Sequence, residues 1–243
     1  LIMRHYNDAG MVVERKRDDS PVTAADREAE QLIRQRVAAQ WPEDGVLGEE
    51  FEETPGTNGF RWILDPIDGT KSFIHHVPLF GTLIGLEHDG QMVAGVCRMP
   101  ALDEVAYGGT GLGAWWQQGG GAPRPARVSS VQRLDEALFC TTTITRWRTL
   151  GRQDVFDRLC GRSSLARGWS DCYGHLLVAT GRADVMVDPV MNVWDAAALL
   201  PIVQEAGGHF LTLDGRPVVD GGNGLSVNAE IRDEVLGLIA GTE

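Results

Sequence analysis

The sequence has no apolar run approaching about 18 residues and no signal-peptide pattern, so neither a membrane-spanning helix nor an export signal is expected. Its four cysteines, Cys97, Cys140, Cys160 and Cys172, are far apart and form no CxxC pair. That argues against a zinc knuckle and against a disulfide framework, and a reduced, cytoplasmic compartment is the matching expectation. Basic charge is scarce: 22 Lys and Arg stand against 34 Asp and Glu, a net charge of −12. Nucleic acid and anionic membranes need clustered cations, so neither is expected as a partner, and an anionic substrate would need a cation to mediate. Internal repeats and low-complexity linkers are absent as well. What is present is an ordinary globular composition, 43% hydrophobic over 243 residues, enough for a substantial core in one large or two small domains. The chain starts at Leu1, and LIMRHY reads as the last turns of a helix, with the expectation that a short N-terminal piece precedes it.

Helix-like and strand-like patterns alternate in blocks rather than in strict βαβ units, which predicts an α+β or layered α/β architecture. TAADREAEQLIRQRVAAQW carries Ala25, Ala29, Leu32, Ile33, Val37 and Trp41 at helical spacing and stops before Pro42. WILD reads as a strand. In FGTLIGLEHDGQMVAGVCRM, the centre His88-Asp89-Gly90-Gln91 predicts a hairpin. EVAYGG and GAWW read as further strands, QQGGGAPRPARV as an exposed loop, and SSVQRLDEALFCTTT as the start of a second half. DCYGHLLVATG predicts a helix stopped at Gly181, ADVMVD a strand, and WDAAALLPIVQEAGG a helix stopped at Gly207-Gly208. Pro201 inside that helix predicts a kink or break, and RDEVLGLIAG a final short helix.

Carboxylates fall at the ends of these elements: Asp26 in PVTAAD, Glu49 and Glu50 in LGEEF, Asp65 and Asp68 in DPIDGT, and Asp195 in VWDAAAL. Oxygen ligands without His or Cys companions suit Mg²⁺, Mn²⁺ or Ca²⁺ rather than zinc. Several carboxylates in one cleft repel one another unless divalent cations neutralise them. Each residue also has a structural reading. Thr23-x-x-Asp26 is a capping box, Asp195 is a candidate helix N-cap, Asp-Pro and Asp-Gly are common turn dipeptides, and Glu49-Glu50 suits a solvated loop. His75-His76, just after the motif, reads as a loop beside the cleft rather than a ligand pair.

Taken together, Gly48-Glu49-Glu50, WILDPIDGTKSF at residues 62–73 and VWDAAALLPIVQEAGG at residues 193–208 resemble the inositol monophosphatase superfamily over nearly the whole chain. The resemblance implies a layered αβαβα sugar-phosphatase fold. Residues 1–130 would form an N-terminal α+β half with most metal ligands, and residues 131–243 a C-terminal α/β half carrying Asp188 and Asp195, in one compact unit. It implies Glu49, Asp65 and the Ile67 carbonyl as ligands of a first Mg²⁺, Asp65, Asp68 and Asp195 as ligands of a second, and Glu49 with water for a weaker third; Mn²⁺ could substitute. By the same resemblance Asp26 and Thr70 orient the attacking water, and the Gly69 and Thr70 amides hold phosphate oxygens. Metal-assisted hydrolysis of a small phosphate monoester, lithium sensitivity and a homodimer are implied too.

Within that superfamily, Lys71-Ser72-Phe73, Asp171-Cys172-Tyr173 and Pro201 look most like the histidinol-phosphate phosphatase branch. Asp188 matches the acidic residue that meets the leaving group, and Asp171 is a second candidate for the substrate's ammonium. Bland readings stand beside these: Asp188 as a strand end, Asp171 as an N-cap, Tyr173 as core. Trp169-Ser170 departs from the small residues of relatives, and Trp194 follows the general inositol phosphatases. The expected activity is hydrolysis of L-histidinol phosphate. The alternatives are an inositol-1-monophosphatase of broad specificity and a relative that binds transcription machinery with weak phosphatase activity.

Overall fold

The computed structural model describes residues 1–8, 10–15 and 21–242. Helix α1 is Ile2–Tyr6, and β1 (Val13–Arg15) pairs antiparallel with β2 (Pro21–Thr23). Helix α2 (Ala24–Gln40) begins at the capping box read from the sequence: Thr23 is the N-cap, and Asp26 Oδ2 accepts from the Thr23 N–H at 2.8 Å. One face of α2, with Val37, packs on Val46 and Leu64.

A seven-stranded sheet follows, in the order β3 (Gly45–Gly48), β4 (Phe60–Asp68), β5 (Gly81–His88), β6 (Gln91–Met99), β7 (Glu104–Gly109), β8 (Gly113–Gln118) and β9 (Arg124–Pro125). All neighbours are antiparallel except β3 and β4. The predicted hairpin is present, turning through Asp89 and Gly90 with φ of 50° and 81°, as a two-residue hairpin turn demands. Strand β9 falls in the stretch expected to be loop throughout. Short helix α3 (Thr70–Ile74) links β4 to β5.

The second sheet runs β11 (Leu165–Arg167), β10 (Leu138–Thr141), β12 (Val185–Asp188), β14 (Gly224–Val227), β13 (His209–Leu211). Its first three strands are parallel. Helices α4 (Ile144–Thr149), α5 (Gln153–Arg162) and α9 (Arg232–Ala240) bring Trp147, Leu159 and Leu238 into a core with Phe139, Val187 and Val227 of that sheet. Between the sheets lie α6 (Asp171–Ala179), α7 (Val193–Ala197) and α8 (Leu199–Glu205), whose Leu176, Leu199 and Ile202 share one core with Leu83, Cys97 and Met99. The layers are therefore αβαβα, as expected. Each fully buried Leu, Ile or Phe contributes about 1.5–3 kcal/mol.

Of the kink or break expected in the stretch read as one helix, the structure has the break: two helices separated at Ala198. Pro201 has no N–H to give the Ala197 carbonyl, so the helical ladder cannot run through. The break lets the backbone settle deep onto the first sheet. Gly85 of β5 pairs with Gly95 of β6, and Gly95 with Gly108 of β7, so three glycines form a row across the sheet. A Cβ on Gly95 would lie 2.1 Å from the Ala198 carbonyl oxygen, and one on Gly85 2.9 Å from Ala197. The row is a groove, and α7 and α8 lie in it.

Candidate active site

Strand alternation decides which β4 side chains enter the middle layer. Leu64, paired with Ile84, faces α2, so Asp65, paired with Leu83, faces α7. Between Asp65 and Asp68 the register shifts: Asp65 opposes Leu83 but Asp68 opposes Gly81, which leaves one extra residue on β4. As dipeptides, Asp65-Pro66 and Asp68-Gly69 read as turns. The chain instead forms a β-bulge, where a proline without an N–H is tolerated, and the strand continues to Asp68. The bulge swings Asp68 to the same side as Asp65. The Ile67 N–H then donates to Asp65 Oδ1 at 3.0 Å, and Thr82 Oγ1 donates to the Pro66 carbonyl at 2.9 Å.

Asp195 enters from α7. It is not the N-cap: Asn192 is, and Asp195 sits three positions later, its Oδ2 accepting from the Asn192 N–H at 2.7 Å. Asp65, Asp68 and Asp195 each bring a carboxylate oxygen within 4.8 Å of the others, the one such three-residue cluster among the described residues. Glu49 is not part of that set, although its charge acts on Asp65. Burial, then the charges of Glu49, Asp68 and Asp195, pushes the Asp65 carboxyl well above the usual range. Asp68 is pushed well above it by enclosure and by Asp171 and Asp195, against the Cys172 N–H that donates to its Oδ2. Asp195 is raised by burial, against its bonds from Asn192. So much negative charge in one enclosed place fits a divalent cation, and an all-oxygen donor set fits a hard one.

Of the remaining expected residues, Asp171 acts electrostatically on Asp68 and Asp195, and Asp195 on Asp188. Asp26 is buried, its Oδ2 held by the Thr23 N–H and hydroxyl at 2.8 and 2.7 Å. Thr70 Oγ1 donates to the Ile67 carbonyl at 3.0 Å. Gly69 has φ of 83°; a Cβ there would lie 2.9 Å from the Leu79 carbonyl oxygen and 3.3 Å from Asp171 Oδ2. Asp171 is therefore against the DPIDGT segment. It is not an N-cap either: Ser170 holds that position, and Asp171 opens α6 with φ of 55°. Asp188 does end β12, and it is buried; burial, then the Asp171 charge, raises its carboxyl well above the usual range, against Lys71 and the Val190 N–H. Tyr173 is half-buried against the interlayer core. His75 and His76 are exposed, and His76 Nδ1 lies 2.9 Å from the Tyr6 carbonyl, so neither joins the cluster.

Sequence reasoning missed Glu30 and Arg34. Glu30, fully buried on α2, accepts from the Glu50 N–H at 2.8 Å through Oε2 and from Arg34 Nε at 2.7 Å through Oε1. Arg34 reaches on to the Phe51 carbonyl at 3.2 Å. A Cβ on Gly48 would lie 2.0 Å from Glu30 Oε1, so the glycine of the GEE motif is the space Glu30 occupies. The i, i+4 spacing of Asp26 and Glu30 on a helix was the available signal.

Two sheets enclosing a helical layer, with carboxylates from a strand bulge and a helix start meeting between them, define the αβαβα sugar-phosphatase class of fold. The sequence profile of the inositol monophosphatase family matches residues 1–240, and the chain belongs to that family. It is 45% identical over 225 residues to a histidinol-phosphatase of Chlorobaculum parvum, covering 93% of this chain and 85% of the relative. To the histidinol-phosphatase of Mycobacterium tuberculosis it is 39% identical, covering 92% and 86%. An inositol-1-monophosphatase of Rhizobium meliloti is 35% identical, covering 80% and 73%. Among solved structures, the extragenic suppressor protein suhB of Bartonella henselae superimposes with a TM-score of 0.89 at 30% identity, over 98% of this chain and 92% of that one.

Proposed function

We propose that the protein hydrolyses L-histidinol phosphate to L-histidinol and phosphate with Mg²⁺ as its cofactor. The observation that carries this is the Asp65, Asp68 and Asp195 cluster beside two further carboxylates, Asp171 and Asp188, in a chain whose similar relatives include histidinol-phosphatases. In this reading Glu49, Asp65, the Ile67 carbonyl, Asp68 and Asp195 hold the metal, with Mn²⁺ an acceptable substitute. When bound, the cation supplies positive charge for the phosphoryl oxygens, the attacking water and the leaving oxygen. The chain's own groups do the rest. The Gly69 and Thr70 N–H groups face the phosphate, and the Thr70 hydroxyl and Asp26 orient the water and accept its proton. Asp171 and Asp188 make charge-assisted contacts with the substrate's ammonium. Such contacts favour an amino alcohol over a polyol, which offers no cation.

The four free thiols suit the reducing, cytoplasmic compartment expected for the chain, and the family resemblance implies a homodimer. Light scattering on the eluting protein measures the assembly. For the activity, phosphate release is compared among histidinol phosphate, inositol 1-phosphate and 3′-phosphoadenosine 5′-phosphate. The expected outcome is the highest kcat/KM for histidinol phosphate. A hundredfold preference for either of the others would overturn the substrate and leave the hydrolase.

A further inference from the structure

Asp171 stands out by its backbone. It is a non-glycine residue with φ of 55°, a conformation that costs an L-residue free energy and persists only where its surroundings hold it. Thr142 holds it. The Thr142 hydroxyl donates to Asp171 Oδ1 at 2.9 Å and accepts from the Asp171 N–H at 3.2 Å, so one side-chain oxygen grips both the carboxylate and the backbone of the same residue. The Ser170 hydroxyl donates to Asp171 Oδ2 at 2.8 Å, on the side that faces Gly69. Thr142 is itself buried, at 7% exposure, and Asp171 half-buried, so water competes less for these bonds than at an exposed site.

The topology explains the position. Strands β10 and β12 are parallel neighbours with Thr141 opposite Val187, so Thr142 and Asp188 emerge side by side at the carboxyl ends of the two strands. Crevices outside the carboxyl ends of parallel strands are where such sheets bind ligands. Asp171 arrives there from α6, and the next residue, Cys172, donates its N–H to Asp68 Oδ2. The strained residue thus links the leaving-group side to the acidic cluster.

We infer that Thr142 is a positioning residue for substrate selection: its hydroxyl fixes Asp171 in the left-handed conformation that turns the carboxylate toward the ammonium of an amino-alcohol phosphate. The inference rests on the histidinol-phosphate reading and goes beyond it, because Thr142 acts through Asp171 and belongs to none of the motifs. Threonine suits the role because its hydroxyl is both donor and acceptor, whereas the near-isosteric valine is neither.

The test compares L-histidinol phosphate with its des-amino analogue, 3-(imidazol-4-yl)propyl phosphate, on wild type, Thr142→Val, Thr142→Ala and Thr142→Ser. Loss of a hydrogen bond to a charged group corresponds to about a tenfold effect. The ratio of kcat/KM values, amine over des-amino, is expected to fall about tenfold in the valine and alanine variants, mainly through KM. The serine variant, which keeps the hydroxyl, is expected to restore most of it. Equal losses on both esters, an unaltered ratio, or failure of serine to restore it would overturn the inference. If the valine variant does not fold, the alanine variant carries the comparison. Failure of the substrate reading is separate, because it shows in wild type alone as no preference for the amine, and the inference then falls with it.

Discussion

Two single residues carry consequences that their neighbours in sequence do not reveal. His175 is fully buried on α6, its Nδ1 2.7 Å from the Ser226 hydroxyl, and burial drives its pKa down to about 3. The folded state therefore keeps it neutral while the unfolded chain takes up a proton below about 6.5, so stability falls as pH falls from about 6.5 towards 3. The stability gap between wild type and His175→Gln should narrow by about 2 kcal/mol between pH 7 and pH 5, read from urea unfolding; a gap that stays constant would mean His175 charges in the fold. Gly48 is the other residue. Gly48→Ala should displace Glu30, cost about 1–3 kcal/mol and weaken Mg²⁺ activation, because the strand end leading into Glu49 loses its support. A variant with unchanged melting temperature and metal dependence would sink that account.

At the scale of elements, most boundaries were legible because each carries a local signal. The capping box fixed the start of α2, Asp89-Gly90 the hairpin, and Gly181 and Gly207 the ends of α6 and α8. The DPIDGT segment was legible as a candidate site but not as a bulge, because Asp-Pro and Asp-Gly signal turns equally well and the register is set by β5 across the sheet. The N-cap alternatives for Asp195 and Asp171 fall, because Asn192 and Ser170 take those places and leave both carboxylates within the first turns. Thr142 was not legible, since its partner Asp171 lies 29 residues away along the chain, and Glu30 left only its i, i+4 spacing from Asp26 as a trace, its partner Glu50 lying 20 residues away. The glycine row was equally hidden, because it exists only once three strands are in register. Gly95→Ala should push the Ala198 carbonyl off β6, at a cost of about 1–3 kcal/mol and roughly 2–12 °C in melting temperature. Calorimetry checks it; an unchanged transition would show that α7 and α8 shift freely.

Over the whole molecule, the acidic cluster ties the first sheet to the interlayer helices, so metal and fold stability are linked. Burial and mutual repulsion raise the carboxyls of Asp65 and Asp68, so the metal-free fold retains protons that an unfolded chain releases. By linkage the metal-free protein loses stability as pH rises above the ordinary carboxylate range, and a bound cation offsets that loss. Mg²⁺ at about a hundred times its Kd should add about 2.7 kcal/mol, or roughly 5–11 °C, at neutral pH and less at pH 5. Asp68→Asn should abolish both turnover and this gain while the metal-free variant melts no lower than wild type; scanning fluorimetry with and without EDTA reads each part. The row at Gly85, Gly95 and Gly108 gives this linkage a mechanical side. It works as a depth stop: how far α7 sinks into the sheet sets how near the Asp195 carboxylate comes to Asp65, so the spacing of the acidic cluster is set from the sheet floor by residues that carry no charge.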